Sequence, residues 1–351
     1  MPAHVRRRPY FSGLIALALC VSAGVWLAGC RGANNAGGSQ KTLTIAVIPK
    51  GATHEHWKRV HIGADKAATE FTAAGTPVRV IWSSPLREDD REQQVQLVEG
   101  FISQGISGLV LAPLDSRALL RPVEEAARVG IPTVIFDSAL ATPNPAVSYV
   151  ATENEQGGRL AADRMGAVLK GKGTVLMLRY QEGSAATEER EHGFLDQLKT
   201  KFPGISVVSS DQYAGATRDT AKRASENLLN RYAADRLDGI FTPNESSTAG
   251  MLLALQDIGR AGKVAFVGFD YSSGFLEPLR KGELQGFVVQ NPVNMGYLSV
   301  KTMVTHLQGK PVPNAVDTGV MMVTPDNLQT AAVQAVINPP EAAQPASGTR
   351  Q

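Results

Sequence analysis

The chain has 351 residues, more than the roughly 150 of one ordinary domain, which suggests two. It is 43% hydrophobic and 19% charged, with 34 Gly and 20 Pro, a globular composition that excludes collagen-like and disordered classes. Removing Arg6, Arg7 and Arg8 from the 35 basic residues leaves 32 against 33 acidic ones, so the rest of the chain lacks the basic balance of a nucleic-acid-binding domain.

Those three arginines precede an apolar run from Phe11 to Ala28. A basic segment followed by an apolar one predicts an export signal over residues 1–29. An uncleaved anchor is the alternative, because about 18–20 apolar residues suffice to span a bilayer. The run ends in Leu27-Ala28-Gly29-Cys30, which resembles the bacterial lipobox. Small residues there let a peptidase approach the backbone, and the thiol takes the lipid. Cys30 is therefore expected to be lipidated, which anchors the protein to a membrane of the cell envelope, in the periplasm or at the outer surface. Cys20 lies inside the signal, so the mature chain has no disulfide and no thiol for catalysis or zinc. Residues 30–40 read as a flexible tether and residues 337–351 as a disordered tail.

Between these ends, short apolar runs alternate with helical patterns. The first set comprises Leu43–Pro49, Val78–Ser83, Gly108–Pro113, Pro132–Asp137 and Ser148–Thr152. The second comprises Thr174–Arg179, Ser206–Ser210, Gly239–Pro243, Val264–Asp270 and Gly286–Gln290. Near-continuous apolar strands predict sheets buried on both faces. Arg91–Ser103 and Ser116–Arg128 carry helical spacing, with Val95, Val98 and Ile102 on one face of the former. The β-α-β rhythm predicts α/β architecture with two doubly wound lobes of parallel strands. Ligands of such sheets bind beyond the carboxyl ends of the strands. Polar side chains stand at nearly every such end: Lys50, Asp137, the stretch from Tyr180 to Arg190, Asn244, Asp270 and Gln290.

Several segments together, IPKGATHEHW, GIPTVIFDS, NEQGGRLAAD, EEREHGF, PNESSTAGMLLAL, VGFD and VVQNP, resemble the ribose/galactose-type sugar-binding proteins of ABC importers. The resemblance covers Leu43 to Leu328. It implies the type 1 periplasmic binding protein fold, two lobes joined by three hinge strands that cross near Thr152, Gln290–Asn291 and Asp317–Thr318. The implied lobes are 41–151 plus 291–317, and 152–290 plus 318–336. It implies a ligand site of Lys50, His54, His56, Trp57, Asp137, Ser138, Arg190, Asn244, Asp270 and Gln290. Ser138 stands where ribose-type proteins usually carry Arg, and His56 where they carry a ring, so ribose itself is not implied. The implied ligand is a monosaccharide, a related polyol or the furanosyl signal autoinducer-2. The implied partner is an ABC permease; a sensor that presents the ligand to a membrane receptor or kinase is the alternative.

These residue types suit a polyhydroxylated ligand. Carboxylates accept hydroxyl protons, Lys and Arg donate, and Asn and Gln do both. Trp57 can cover a C–H face. Blander roles stay open: Asn244 and Asp270 also fit helix N-caps, and Arg190 a solvated helix face. His54, His56 and His61 lie close in sequence, but His61 points away from His54 on a helix starting near Glu55, and no metal is expected. No cofactor is expected either. Gly171-Lys172-Gly173 lacks the spacing of a phosphate loop, and no G-x-S-x-G elbow occurs. A repressor of the same core fold would need a helix-turn-helix in place of the signal. A secreted hydrolase would use Asp137 and Asp270 as a carboxylate pair. The expected protein is a monomer, not an enzyme.

Overall fold

The computed structural model describes residues 41–142, 145–232 and 236–340. The expected signal, Cys30 with its expected tether, and residues 341–351 lie outside them. Among the described residues no helix is long and apolar enough to cross a membrane.

The first lobe is built from β1 (Leu43–Ile48), β2 (Val78–Trp82), β3 (Gly108–Leu111), β4 (Thr133–Phe136) and β5 (Ser148–Ala151). Helices α1 (Glu55–Ala73), α2 (Arg91–Ser103) and α3 (Leu120–Arg128) connect the first four of these strands. The second repeats the plan with α4 (Asn154–Val168), β6 (Gly173–Arg179), α5 (Ala185–Lys201), β7 (Ile205–Tyr213), α6 (Arg218–Arg231) and β8 (Gly239–Phe241). It continues through α7 (Glu245–Asp257), β9 (Ala265–Phe269), α8 (Leu276–Lys281) and β10 (Gly286–Gln290). The chain then returns to the first lobe in α9 (Pro292–Leu307) and β11 (Ala315–Asp317), and crosses back to β12 (Val320–Val323) and α10 (Ala331–Ile337).

The two six-stranded sheets have orders β11-β5-β4-β3-β1-β2 and β12-β10-β9-β8-β6-β7. These orders are the same once the strands are matched lobe to lobe. One difference departs from the expected all-parallel sheets: β11 runs parallel to β5, whereas β12 runs antiparallel to β10. A single extended segment crosses from one lobe to the other, so it meets the two sheets in opposite senses. The crossings touch each other. Thr318 N–H donates to Ala151 O at 3.0 Å, and the Thr152 and Thr318 hydroxyls lie 3.3 Å apart.

Strands β3, β4, β8, β9 and β10 are buried at every residue, because helices cover both faces of each sheet. The helix starts are encoded locally. Asp90 caps α2, Thr217 and Asn244 form capping boxes at α6 and α7, and Asn291 followed by Pro292 starts α9. α3 begins at Leu120, later than the expected Ser116, because residues 116–119 form a turn. β7 extends to Tyr213, past the expected Ser210. Ile337, expected in the tail, is the last residue of α10 and is 1% exposed.

Each lobe also contains a helix pair in backbone contact. A Cβ on Gly63 of α1 would lie 1.9 Å from Val293 O, and one on Gly296 of α9 would lie 1.9 Å from Val60 O. A Cβ on Gly158 of α4 would lie 2.0 Å from Arg190 O, and one on Gly193 of α5 would lie 2.2 Å from Glu155 O. Only glycine permits this approach, and it sets where α5 carries Arg190.

Candidate functional site

The carboxyl ends of both sheets point at one cavity of about 30 Å³ between the lobes. Lys50, His54, His56, Trp57, Asp137, Arg190, Asn244, Asp270 and Gln290 all line it. The structure thus brings together nine of the ten residues expected from the sequence. Ser138 is the exception. It is fully buried beside Asp137, and its Oγ accepts the Ala186 N–H at 3.1 Å from the opposite lobe, so it joins the lobes rather than facing the cavity. Glu88, Tyr180, Ala186 and Thr187 complete the lining; the last three fall in the Tyr180–Arg190 stretch noted after β6, but none was singled out as a ligand residue.

Each lobe contributes one strand-end carboxylate. Asp137 is 3% exposed; its Oδ2 lies 3.2 Å from Lys50 Nζ. Lys50 also donates to Ser184 Oγ at 3.2 Å across the cleft. His56 Nε2 approaches Asp137 Oδ1 to 3.2 Å, out of line for a hydrogen bond. Burial alone would raise the Asp137 pKa; Lys50, His56 and Arg190 outweigh it and hold the carboxyl far below its usual range. In the second lobe, Asp270 Oδ1 accepts from Gln290 Nε2 at 2.7 Å and Oδ2 accepts the Glu245 N–H at 3.0 Å. Asn244 fills two roles, capping α7 through Ser247 and lining the cavity.

Arg190 is 2% exposed and held on three sides. Its Nε donates to Asn154 Oδ1 at 2.9 Å, its Nη1 donates to Pro243 O at 3.1 Å, and its guanidinium stacks 4.1 Å from the Phe269 ring centre. Asp270 lies 3.8 Å from Nη1. This fixed guanidinium is not the solvated helix face that its charged neighbours suggest.

Glu88 is the hub of the opposite wall. Oε1 accepts from Trp57 Nε1 at 2.6 Å and from His54 Nδ1 at 2.7 Å; Oε2 accepts the Tyr180 hydroxyl at 2.8 Å from the other lobe. Burial would lower the His54 pKa, but the Glu88 carboxylate, with Glu245 and Asp270 farther off, raises it from 6.5 to about 9. Burial would raise Glu88; His54, Trp57 and Tyr180 bring it below its usual value. His61 stands apart, stacked on Trp82 with ring centres 4.3 Å apart. Among the described residues, no group of three His, Cys, Asp or Glu side chains could hold a metal ion.

The cavity has room for one or two waters. A larger solute enters only when the lobes part and the paired side chains separate. Three polar atoms in or near its wall are buried without a hydrogen-bond partner in the protein, His56 Nε2, Gln290 Oε1 and Asn154 Nδ2.

Residues 45–311 match the periplasmic binding protein domain. The chain belongs to that family. Among its relatives is a xylitol-binding protein of Mycolicibacterium smegmatis, 27% identical over 79% of this chain and 75% of the relative. A ribose import binding protein of Bacillus subtilis is 27% identical over 82% of this chain and 89% of the relative. A carbohydrate transporter solute-binding protein from Agrobacterium radiobacter, solved in complex with D-arabinose, superposes with a TM-score of 0.79 at 32% identity. It covers 86% of this chain and 100% of its own. These family members are solute-binding proteins, and this chain is a binding protein rather than an enzyme.

Proposed function

We propose that this protein is a solute-binding lipoprotein of an ABC transporter. It captures a monosaccharide or related polyol between its lobes by hinge closure and delivers it to a permease. The observation that carries this reading is the composition of the cavity wall. Three carboxylates, Glu88, Asp137 and Asp270, face three cations, Lys50, Arg190 and a protonated His54. A balanced, buried, donor- and acceptor-rich wall favours a neutral ligand that offers many hydroxyls, because a charged ligand would leave one buried charge unpaired. Relatives named for xylitol and ribose support the same ligand class. Lipidation of Cys30 would keep the protein at the membrane where the permease sits.

The test is a thermal-shift screen of the full chain against pentoses, hexoses, pentitols and autoinducer-2. A bound ligand raises the melting temperature by mass action. The expected result is a rise with at least one neutral polyhydroxylated compound and none with its acid or phosphate form. A flat response across the neutral panel would refute the reading.

A further inference from the structure

Helix α1 supplies His54, His56 and Trp57 to the cavity, yet its own first turn has no cap within its lobe. His54 occupies the N-cap position, and its side chain makes no capping bond. The bare N–H groups of a helix start need acceptors when buried. The acceptor comes from the other lobe. Glu245, the first residue of α7, reaches across, and its Oε2 accepts the His56 N–H at 3.2 Å. Both residues are buried. Burial raises the Glu245 pKa, against the opposing pull of His54 and of the Glu55 and His56 N–H groups.

The same relationship runs in reverse one residue away. Glu55 of α1 accepts from Ser272 Oγ at 3.0 Å and from Ser273 N and Oγ at 3.1 and 2.9 Å. Those groups start the 3-10 turn Ser273–Phe275 of the second lobe, where Ser272 makes no capping bond of its own. Each lobe therefore caps a backbone start in the other that has no side-chain cap of its own. One turn along α1, Arg59 donates to Val336 O at 3.1 Å and Ile337 O at 2.7 Å, the last carbonyls of α10, and lies 4.2 Å over the Tyr271 ring. Neither Glu55 nor Glu245 lines the cavity.

We propose that Glu55 and Glu245 are positioning residues that form a reciprocal clasp between the lobes. The clasp sets the balance between open and closed forms and holds the first turn of α1 against the site without touching the solute. When the lobes part, both carboxylates go to water and both starts lose their caps, so the clasp contributes only to the closed form. Hydrogen bonds to a charged acceptor are the stronger kind, and a buried donor left without one is costly.

The test needs no solute, which separates it from the identity of the ligand. In a full chain carrying Cys20→Ser and Cys30→Ser, Ser116→Cys and Glu182→Cys place the only thiols on facing edges of the two lobes, where Ser116 N–H donates to Gly183 O at 2.9 Å. A short bifunctional maleimide then joins the lobes at a rate proportional to the closed population. Glu245→Ala and Glu55→Ala are each expected to slow this trapping about tenfold, and Glu245→Gln, which keeps an acceptor oxygen, by less than threefold. Glu55 is only half-buried, so its variant folds even if Glu245→Ala does not; unliganded melting curves report that control. Trapping at the parental rate in the folded alanine variants overturns the proposal, as does equal slowing by Gln and Ala at position 245. A flat sugar screen alongside slowed trapping would remove the proposed ligand class and leave the clasp standing.

Discussion

Asp137 and Asp270 occupy the same place in the two lobes. Each follows the strand that ends its lobe's site, β4 or β9, and each is left-handed, with φ of 60° and 66°. Each donates its N–H to a carbonyl of the next strand, Val150 O at 3.1 Å and Val288 O at 2.7 Å. A non-glycine residue there carries strain, held by the surrounding sheet, and such strain clusters at ligand sites. Asn tolerates the same backbone, so Asp→Asn removes the charge without adding strain. Asp137→Asn and Asp270→Asn are each expected to abolish the ligand-induced rise in melting temperature. Asp137→Asn also strands Lys50, and costs about 3 kcal/mol in urea unfolding. Two variants that respond to ligand as the parent does would place the site elsewhere.

The residues legible in the sequence are those that end strands. An apolar run that stops at Asp137, Asp270 or Gln290 fixes both the strand and the side chain beyond it. Glu88 was not legible, because it ends no strand: it lies six residues past β2 in a polar stretch beside Arg87, Asp89 and Asp90. Only the turn of that stretch sends Glu88 inward to Trp57, while Arg87 and Asp89 pair with each other at the surface. Tyr180 follows β6 directly, but its hydroxyl has a partner only after the lobes meet. Ser138 does not itself line the cavity, because its hydroxyl is taken up by the N–H of Ala186 in the other lobe, a partner that sequence adjacency to Asp137 does not reveal. Strands β11 and β12 are three and four residues long, too short for a periodic signal.

The helix contact at Gly158 offers a second test. An added methyl there would meet Arg190 O and Phe194 N of α5, both backbone atoms, so α5 must move as a unit. Gly158→Ala is expected to destabilise the chain by about 1–3 kcal/mol in urea unfolding. The displaced helix carries Arg190 with it, so ligand affinity should fall by more than tenfold. Gly100→Ala in α2, where nothing lies within 4 Å of the new Cβ, is the matched control: it should raise stability by about 0.5–1 kcal/mol through helix propensity and leave affinity unchanged.

The His54–Glu88 pair predicts a pH dependence whose sign is fixed. The His54 pKa is raised from 6.5 to about 9 in the fold, by Glu88 above all and by Glu245 and Asp270. The folded chain therefore keeps a proton that the unfolded chain releases between those values. The stability this provides is complete below about pH 6.5 and is lost as pH rises through about 9. Its upper size is about 3 kcal/mol. His54→Gln keeps a donor towards Glu88 but does not titrate. The difference in unfolding free energy between parent and variant should shrink steadily from pH 6 to pH 9.5; a constant difference would show that His54 is not protonated in the fold.

Glu88 itself carries the strongest single prediction. Its carboxylate satisfies three donors, Trp57 and His54 from its own lobe and Tyr180 from the other. Removing it leaves two buried donors and one buried imidazolium without an acceptor, a cost of about 3–5 kcal/mol. Glu88→Ala should lower the melting temperature of the unliganded chain and abolish ligand binding together. Tyr180→Phe separates the two effects, because it removes only the carboxylate's own bond across the lobes and leaves Glu88 paired with Trp57 and His54. The loss of one such bond should weaken affinity about tenfold, measured by calorimetry on the ligand found in the screen, with the unliganded melting temperature held within a degree or two. Equal affinity in the parent and Tyr180→Phe would mean that the Glu88 carboxylate organises the first lobe alone and has no part in closing it.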